Sequence, residues 1–302
     1  MNDHKTGYVA ILGLPNVGKS SLLNALLGQK LSIITSKPQT TRKRILGILS
    51  EESYQIIFLD TPGILSPSYL LQEKMMEEVD ASMKDADVIV LIVDVFDDPQ
   101  GDILLNHEFV KMFVMNSKKP KLLVINKVDM LIQEKVTEFI KQFEKHKLFE
   151  EVIPVSATAD FNIQRVKEEI IRFLPKGPKL FPGDQVTDAN ERFFVSEIIR
   201  EKILELYRDE IPYSCEVLIA DFKEREEKKD FISAEIVVEK DSQKAIIIGK
   251  GGAAIKKLGQ VARKSIEEFL QKEVFLELRV KVRKKWRSDE NLLKSFGYSK
   301  KE

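Results

Sequence analysis

The residues with the clearest chemical capacity are Gly13-Leu14-Pro15-Asn16-Val17-Gly18-Lys19-Ser20, which fit the phosphate-binding spacing G-x-x-x-x-G-K-[ST]. The chemistry is anion capture. Backbone N–H groups of such a loop, and the positive end of the helix that follows it, converge on phosphate oxygens. Lys19 adds a point charge for the β and γ phosphates, and the Ser20 hydroxyl, followed by Ser21 in the first helical turn, suits Mg²⁺.

Three further segments, each after an apolar run, specify which nucleotide. Residues 56–59 lead into Asp60-Thr61-Pro62-Gly63, where Asp60 suits a carboxylate holding Mg²⁺ through water and Gly63 has no side chain to keep its N–H from a γ-phosphate. Residues 121–125 lead into Asn126-Lys127-Val128-Asp129. A carboxylate at Asp129 can accept from N1–H and the exocyclic amine of guanine; adenine would leave it unpaired, which opposes an ATP-using enzyme. Residues 152–155 lead into Ser156-Ala157, a small-residue loop whose amide can reach guanine O6. Open α/β sheets bind ligands beyond the carboxyl ends of their strands, where all four loops are expected to lie.

The elements that must position these loops are also legible. Residues 8–12 read as a buried strand, and residues 21–27 as a helix ended by Gly28. Residues 88–93 form a strand ending at Asp94, and amphipathic helices over 135–147 and 163–174 alternate with the strands. This is the pattern of an α/β domain, a mostly parallel sheet covered by helices on both faces. Proline and glycine between Leu174 and Asp184 forbid a continuous helix, giving a first domain over 1–175, a linker over 176–190 and a second domain over 191–302.

The second domain reads as α+β. A helix over 191–208 precedes strands over 215–222 and 231–238, joined by the charged loop 223–230. A helix over 253–271 carries Ile255, Leu258, Val261, Ala262, Ile266 and Phe269 on one stripe, and a last strand spans 275–282. Between them, the apolar run ending at Ile248 leads into Gly249-Lys250-Gly251-Gly252, where glycines permit close backbone approach and Lys250 puts charge at the tip. Arg279, Lys281 and Arg283 alternate onto one face of the last strand.

Composition sets bounds. The 302 residues suffice for two cores, and 48 Lys plus Arg balance 48 Asp plus Glu, so any nucleic-acid site must be a local patch. The single Cys215 cannot form an intramolecular disulfide; it suits a buried thiol and a cytosolic compartment. Neither a signal peptide nor a membrane span is readable, and His4, His107 and His146 lack metal-ligand spacing and are expected at the surface.

Residues from about Gly7 to Leu174 resemble the translation-factor-type GTPases on the four loops above, and Gly249 to Gly252 resembles the RNA-clamping loop of a type II KH domain. A GTPase followed by one KH domain, with Gln39-Thr40-Thr41-Arg42 in the first switch and Phe296-Gly297-Tyr298 near the C-terminus, is similar to the Era family.

That resemblance implies hydrolysis of GTP to GDP at Lys19, Asn16, Thr41 and Gly63, with Mg²⁺ held by Ser20, by Thr41 or its neighbour Thr40, and through water by Asp60. Ras-like GTPases orient water with a glutamine after the glycine; Ile64 stands there, which implies slow intrinsic hydrolysis. Asn16 occupies the place of an asparagine that holds K⁺ in hydrophobic-substituted relatives, the alternative being a capping asparagine with no ion.

The implied RNA contacts are Ile248, Gly249, Lys250, Gly251, Gly252, Lys256, Arg279, Lys281 and Arg283. The implied target is the 3′ end of 16S ribosomal RNA in the 30S subunit, and GTP-ordered segments over 37–44 and 63–71 would bias placement of the KH domain. A cytoplasmic monomer, with peripheral contact at the inner face of the membrane, is expected. The competing reading is a GTPase whose C-terminal domain docks a protein or membrane surface instead of RNA.

Overall fold

The computed structural model describes residues 3–145, 147–226 and 228–298. His146, and the expectation placed on it, lie outside them. The chain divides into two compact units, Met1–Ser66 with Met75–Asp188 and Pro67–Lys74 with Ala189–Glu302. Among the described residues no helix is long and apolar enough to cross a membrane.

In the first unit, β1 (Lys5–Gly13), β2 (Ile45–Ser50), β3 (Tyr54–Asp60), β4 (Val88–Asp94), β5 (Lys121–Asn126) and β6 (Glu151–Pro154) form a six-stranded sheet in the order β2-β3-β1-β4-β5-β6. Only the pairing of β2 with β3 is antiparallel. Helices α1 (Lys19–Leu27), α3 (Asp102–Asn106), α4 (Gln133–Lys145) and α5 (Ile163–Phe173) belong to this unit, as does α2 (Leu70–Asp85) from Met75 onward. Strand β4 shows why its run does not alternate. Val88, Val90 and Ile92 pack with Leu22 and Leu26 of α1 and Ile170 of α5, while Ile89, Leu91 and Val93 pack with Val79 of α2 and Phe143 of α4. Both faces are covered, so both must be apolar.

The sequence pattern carries no separate signal for β2, α2, α3 or the π-turn Val110–Val114, and the helix expected over 135–147 is described as Gln133–Lys145. His4 is a correction: it is buried, not a surface residue. Its Nδ1 lies 2.9 Å from the Gly177 carbonyl and its own carbonyl accepts from the Gly177 N–H at 3.0 Å. The chain after α5 returns along the start of β1 and covers it. His107 is only half-buried.

Residues 180–186 do not hang free. The Gln55 side chain on β3 accepts from Leu180 and Phe181 N–H groups at 2.7 and 3.0 Å, and Ile48 of β2 donates to the Val186 carbonyl at 2.7 Å. The segment thereby caps the edge strand's open donors.

In the second unit, α6 (Glu191–Leu206), β7 (Glu216–Lys223), β8 (Asp230–Val238), α7 (Asp241–Ile248), α8 (Ala253–Leu270), β9 (Val274–Val282) and α9 (Glu290–Ser295) follow in that order. The sheet runs β7-β8-β9, with β7–β8 antiparallel and β8–β9 parallel. Asn190 caps α6 by accepting from Phe193 N–H. One face of the sheet packs on α6 and α8 through Ile199, Ile203, Ile232, Ile236, Leu258, Ala262 and Ile266. Phe269, expected in that stripe, is 40% exposed. It sits in the last turn of α8, with its ring 5.4 Å from that of Phe194. Cys215 is buried, and the C-terminal segment returns to the domain: Trp286 Nε1 donates to the Ser214 carbonyl at 3.0 Å and the Tyr298 hydroxyl to Glu216 at 2.8 Å.

Candidate functional site

The ends of β1, β3 and β5 and the loop after β6 surround a cavity of about 460 Å³ in the first unit. The loop between β1 and α1 can bend as it does because Gly18 stands at φ 96° and Asn16 at φ 65°. Gly18 is also the N-cap of α1 and supplies no side chain, so the first N–H groups of the helix stay open to an anion. Asn16 is therefore not the helix cap. Its Nδ2 donates to the Ser36 carbonyl at 3.2 Å and ties the loop to the segment leading into the first switch.

Lys19 lies across this loop, 6% exposed, with Nζ donating to the carbonyls of Leu14 and Gly13 at 2.9 and 3.3 Å. Burial lowers its pKa to about 8, against the attraction of Asp60. Burial raises the Asp60 pKa, against a hydrogen bond from Ser20 and the charge of Lys19. Two opposite charges held from water are both pushed toward neutrality, a poised arrangement that a polyphosphate and a cation would reverse.

The three metal-ligand candidates converge. The Ser20 hydroxyl lies 2.8 Å from Asp60 Oδ2 and 2.9 Å from Thr41 Oγ1. Thr41 faces this cluster and Thr40 does not: the Thr40 hydroxyl donates to the Lys37 carbonyl at 2.7 Å. Asp60 Oδ1 is buried with no hydrogen bond of normal geometry among the described residues. Hard oxygens from one carboxylate and two hydroxyls, one of them unsatisfied, fit Mg²⁺. Gly63 presses on the phosphate loop so closely that an added Cβ would stand 2.8 Å from the Pro15 backbone, and Ile64 N–H donates to Gly13 at 2.9 Å. The Ile64 side chain is wholly buried, so it neither orients nor reaches water.

Asn126 stitches three loops together. Its Nδ2 donates to the Val17 carbonyl at 2.8 Å, and its Oδ1 accepts from the Ala157 N–H at 3.1 Å. That second bond qualifies the expectation for Ala157, whose amide is already engaged although the residue does line the cavity. Asp129 lines it from an exposed turn. Of the remaining residues expected at the nucleotide, Gly18, Ser21 and Lys127 line the cavity, whereas Val17, Thr61, Pro62 and Ser156 are buried behind it. Thr61 donates to the Ile11 carbonyl at 2.7 Å, and Ser156 closes its own loop by pairing with Phe161. Gln39 of the expected first switch lines the cavity; Thr35 and Asp97 also line it and were missed, as was Asp94, which accepts from Lys127 Nζ and from Phe96 N–H at 2.9 Å. An acid directly ending the apolar run 88–93 was the available signal for Asp94, which the structure buries opposite Asn126.

In the second unit the glycine turn has φ of 72°, 59° and 79° at Gly249, Gly251 and Gly252. At Gly249 an added Cβ would meet the Ala254 Cβ at 2.6 Å; at Gly251 and Gly252 nothing lies within 4 Å. Lys250 is exposed at the tip. Beyond the turn, a groove of about 380 Å³ between α8 and β9 is lined by Lys256, Arg263, Leu276 and Leu278 among others.

One expectation fails here. Ile248 is half-buried beside the core and is not among the residues lining the groove, whereas the basic face of β9 is turned away from it. Arg279, Lys281 and Arg283 cannot share the groove, because Leu276 and Leu278 face it and strand alternation sends the basic residues to the other side of β9. There Arg279 pairs with Glu277 at 2.9 Å and Lys281 with Glu235.

A phosphate loop, a guanine-compatible carboxylate and a glycine-loop RNA fold define a P-loop GTPase joined to a KH domain. Comparison with known proteins agrees: the family described as 50S ribosome-binding GTPase matches residues 8–127, and the KH domain family matches residues 210–287. GTPase Era of Clostridium botulinum (strain Okra / Type B1) is 44% identical over 297 residues, 98% of this chain and 99% of that one. The chloroplastic GTPase ERA-like of Arabidopsis thaliana is 48% identical over 298 residues, 98% of this chain and 69% of its own. A crystal structure of Era in complex with MgGDPNP and nucleotides 1506-1542 of 16S ribosomal RNA superposes with a TM-score of 0.93 at 40% identity, covering 98% of this chain and 99% of that one. The chain belongs to the Era family of GTPases.

Proposed function

We propose that the protein is a GTP-driven switch that places its KH domain on the 3′ end of 16S ribosomal RNA and assists assembly of the 30S subunit. The observation that carries this reading is the pairing, in one chain, of the Ser20–Thr41–Asp60 cluster beside the phosphate loop with a glycine turn whose tip is open and basic. Residues 1–175 form the GTPase part, 176–190 the connection and 191–302 the KH part. The solved relative that holds a GTP analogue, Mg²⁺ and 16S RNA supports the same ligands here.

Ser20, Thr41 and Asp60 would hold Mg²⁺, which supplies neutralisation of charge on the phosphates. Lys19 exchanges its loop carbonyls for phosphate oxygens, and the N–H groups at the start of α1 receive the same charge. Gly63, packed on Pro15, brings the second switch to the γ-phosphate without a side chain between them. The whole burden falls on positioning and charge, since Ile64 offers no hydrogen bond to the attacking water.

Guanine recognition is tested at Asp129. The Asp129→Asn variant is expected to lose roughly tenfold to thirtyfold in GTP affinity, about 1–2 kcal/mol, and to gain affinity for xanthosine nucleotides, because an amide donor faces the 2-oxo group. Titration with both nucleotides checks this, and full GTP affinity in the variant would rule the assignment out.

The K⁺ reading rests on Asn16. Replacing Na⁺ by K⁺ at constant ionic strength is expected to raise turnover several-fold, on the order of 1 kcal/mol, and Asn16→Ala to flatten the response. Equal rates in the two salts exclude it. Because Asn16 also holds the Ser36 carbonyl, nucleotide affinity measured alongside separates loss of the ion from loss of the loop contact.

A further inference from the structure

The outer face of the KH sheet carries a feature that the glycine-loop groove does not use. The register of β8 and β9 sets Phe231 beside Phe275, with ring centroids 5.9 Å apart and planes 14° from parallel. Phe275 is 57% exposed. The register of β7 and β8 sets Lys223 on the other side of Phe231. Lys223 Nζ and Arg225 Cζ stand 5.8 and 5.4 Å from the centre of the Phe231 ring. Ile232 and Val274, one residue along each strand, are buried in the core, so the aromatic pair faces away from α6 and α8.

Scattered exposed apolar residues are ordinary, but two near-parallel rings, one with two cations beside it and the other open to solvent, have the composition of a base-stacking platform. The location strengthens this. Strand β9 is the sheet edge, and its opposite face forms the groove wall at Leu276 and Leu278. A single strand leaving the groove has only to turn around β9 to reach Phe275. Charge at the aromatic end comes from Arg225 and from Lys223, which also pairs with Asp221 at 2.7 Å, while Glu277 on the same face pairs with Arg279.

We propose that Phe275, with Phe231, Lys223 and Arg225, is a second contact for single-stranded RNA, stacking bases that lie beyond those in the groove. The proposal rests on reading the KH domain as RNA-binding. It is tested on the full-length protein with fluorescent single-stranded RNAs of two lengths. One of about four nucleotides fills the KH groove alone, and one of about twelve can also reach the sheet. Phe275→Ala is expected to weaken the long RNA about tenfold and to leave the short one unchanged, Phe275→Tyr to bind as wild type, and Phe275→Leu to fail like alanine because it has no π face.

Unchanged long-RNA affinity in Phe275→Ala overturns the proposal. So does full rescue by leucine, which would mark an apolar surface for a protein partner. Failure of the wild type to bind either RNA would remove the underlying RNA reading as well, and is thereby distinguished from failure of the platform alone. GTP turnover should be equal in all four proteins, because the residue is on the exposed face of a separate core.

Discussion

Replacing Lys19 with alanine is expected to lower kcat/KM for GTP by roughly two to three orders of magnitude, about 3–4 kcal/mol, the range for removing one preorganised donor from developing charge. The nucleotide-free state supplies a second readout. Burial brings the Lys19 pKa from 10.5 down to about 8. The unfolded chain therefore holds more protons than the folded one between those values, and this residue makes stability rise as pH increases from about 8 to 10.5. Below pH 8 its desolvation cost is fully present. Denaturant midpoints of wild type and Lys19→Met across that window should differ in slope, with the shallower rise in the variant. A triphosphate reverses the balance by placing negative charge beside the ammonium, so GTP binding near pH 8 should take up protons in the wild type and less so in the variant. Calorimetry in two buffers of different ionisation enthalpy measures that uptake; equal uptake in both proteins would remove Lys19 from the phosphate site.

The chemistry of the first unit was legible because its signals are local. A loop that must cradle phosphate needs glycine at fixed places, and Gly18 and Gly63 are where side chains would strike Asn126 and Pro15. Strand β4 was legible for the same reason, a short apolar run buried on both faces. What escaped depended on pairing across the chain. His4 looks like a polar N-terminal residue until the segment around Gly177 returns to cover it. Thr40 and Thr41 are equivalent in sequence, and only the position of Ser20 and Asp60 separates them.

The basic strand illustrates the limit most clearly. Alternation places Arg279 and Lys281 of β9 on one face, but which face is fixed by the helices packed on the other, and that is a tertiary fact. The same inversion that removes these residues from the groove puts Phe275 beside Phe231 on the open side. Asn126 was expected to serve the nucleotide; its bonds to Val17 and Ala157 show that its amide also fixes the distance between the phosphate and base loops. Loss of that side chain would therefore disturb both halves of the nucleotide site together.

The glycine turn of the KH domain is where one substitution should separate RNA binding from everything else. Gly249 is unsuitable, because at φ 72°, ψ 173° any side chain is strained and an added Cβ would strike Ala254. Gly251 is suitable: its φ 59°, ψ 21° lies in the left-handed region that aspartate tolerates better than most residues, and nothing stands within 4 Å of its Cβ position. Gly251→Asp should fold, at a cost of about 1–2 kcal/mol. It places negative charge where an RNA backbone must approach, and the expected loss is on the order of a hundredfold in RNA affinity, about 2.7 kcal/mol, with GTP affinity unchanged. Lys250→Ala should be milder and should flatten the salt dependence, because neutralising Z phosphates of a single strand gives a log-log slope of roughly −0.7Z and one cation is lost from the tip. Filter binding of the three proteins to a single-stranded 3′ fragment of 16S RNA across a salt series decides between the alternatives. Wild-type affinity in Gly251→Asp would make the turn a simple connector between α7 and α8, and would move any RNA site to another part of the surface.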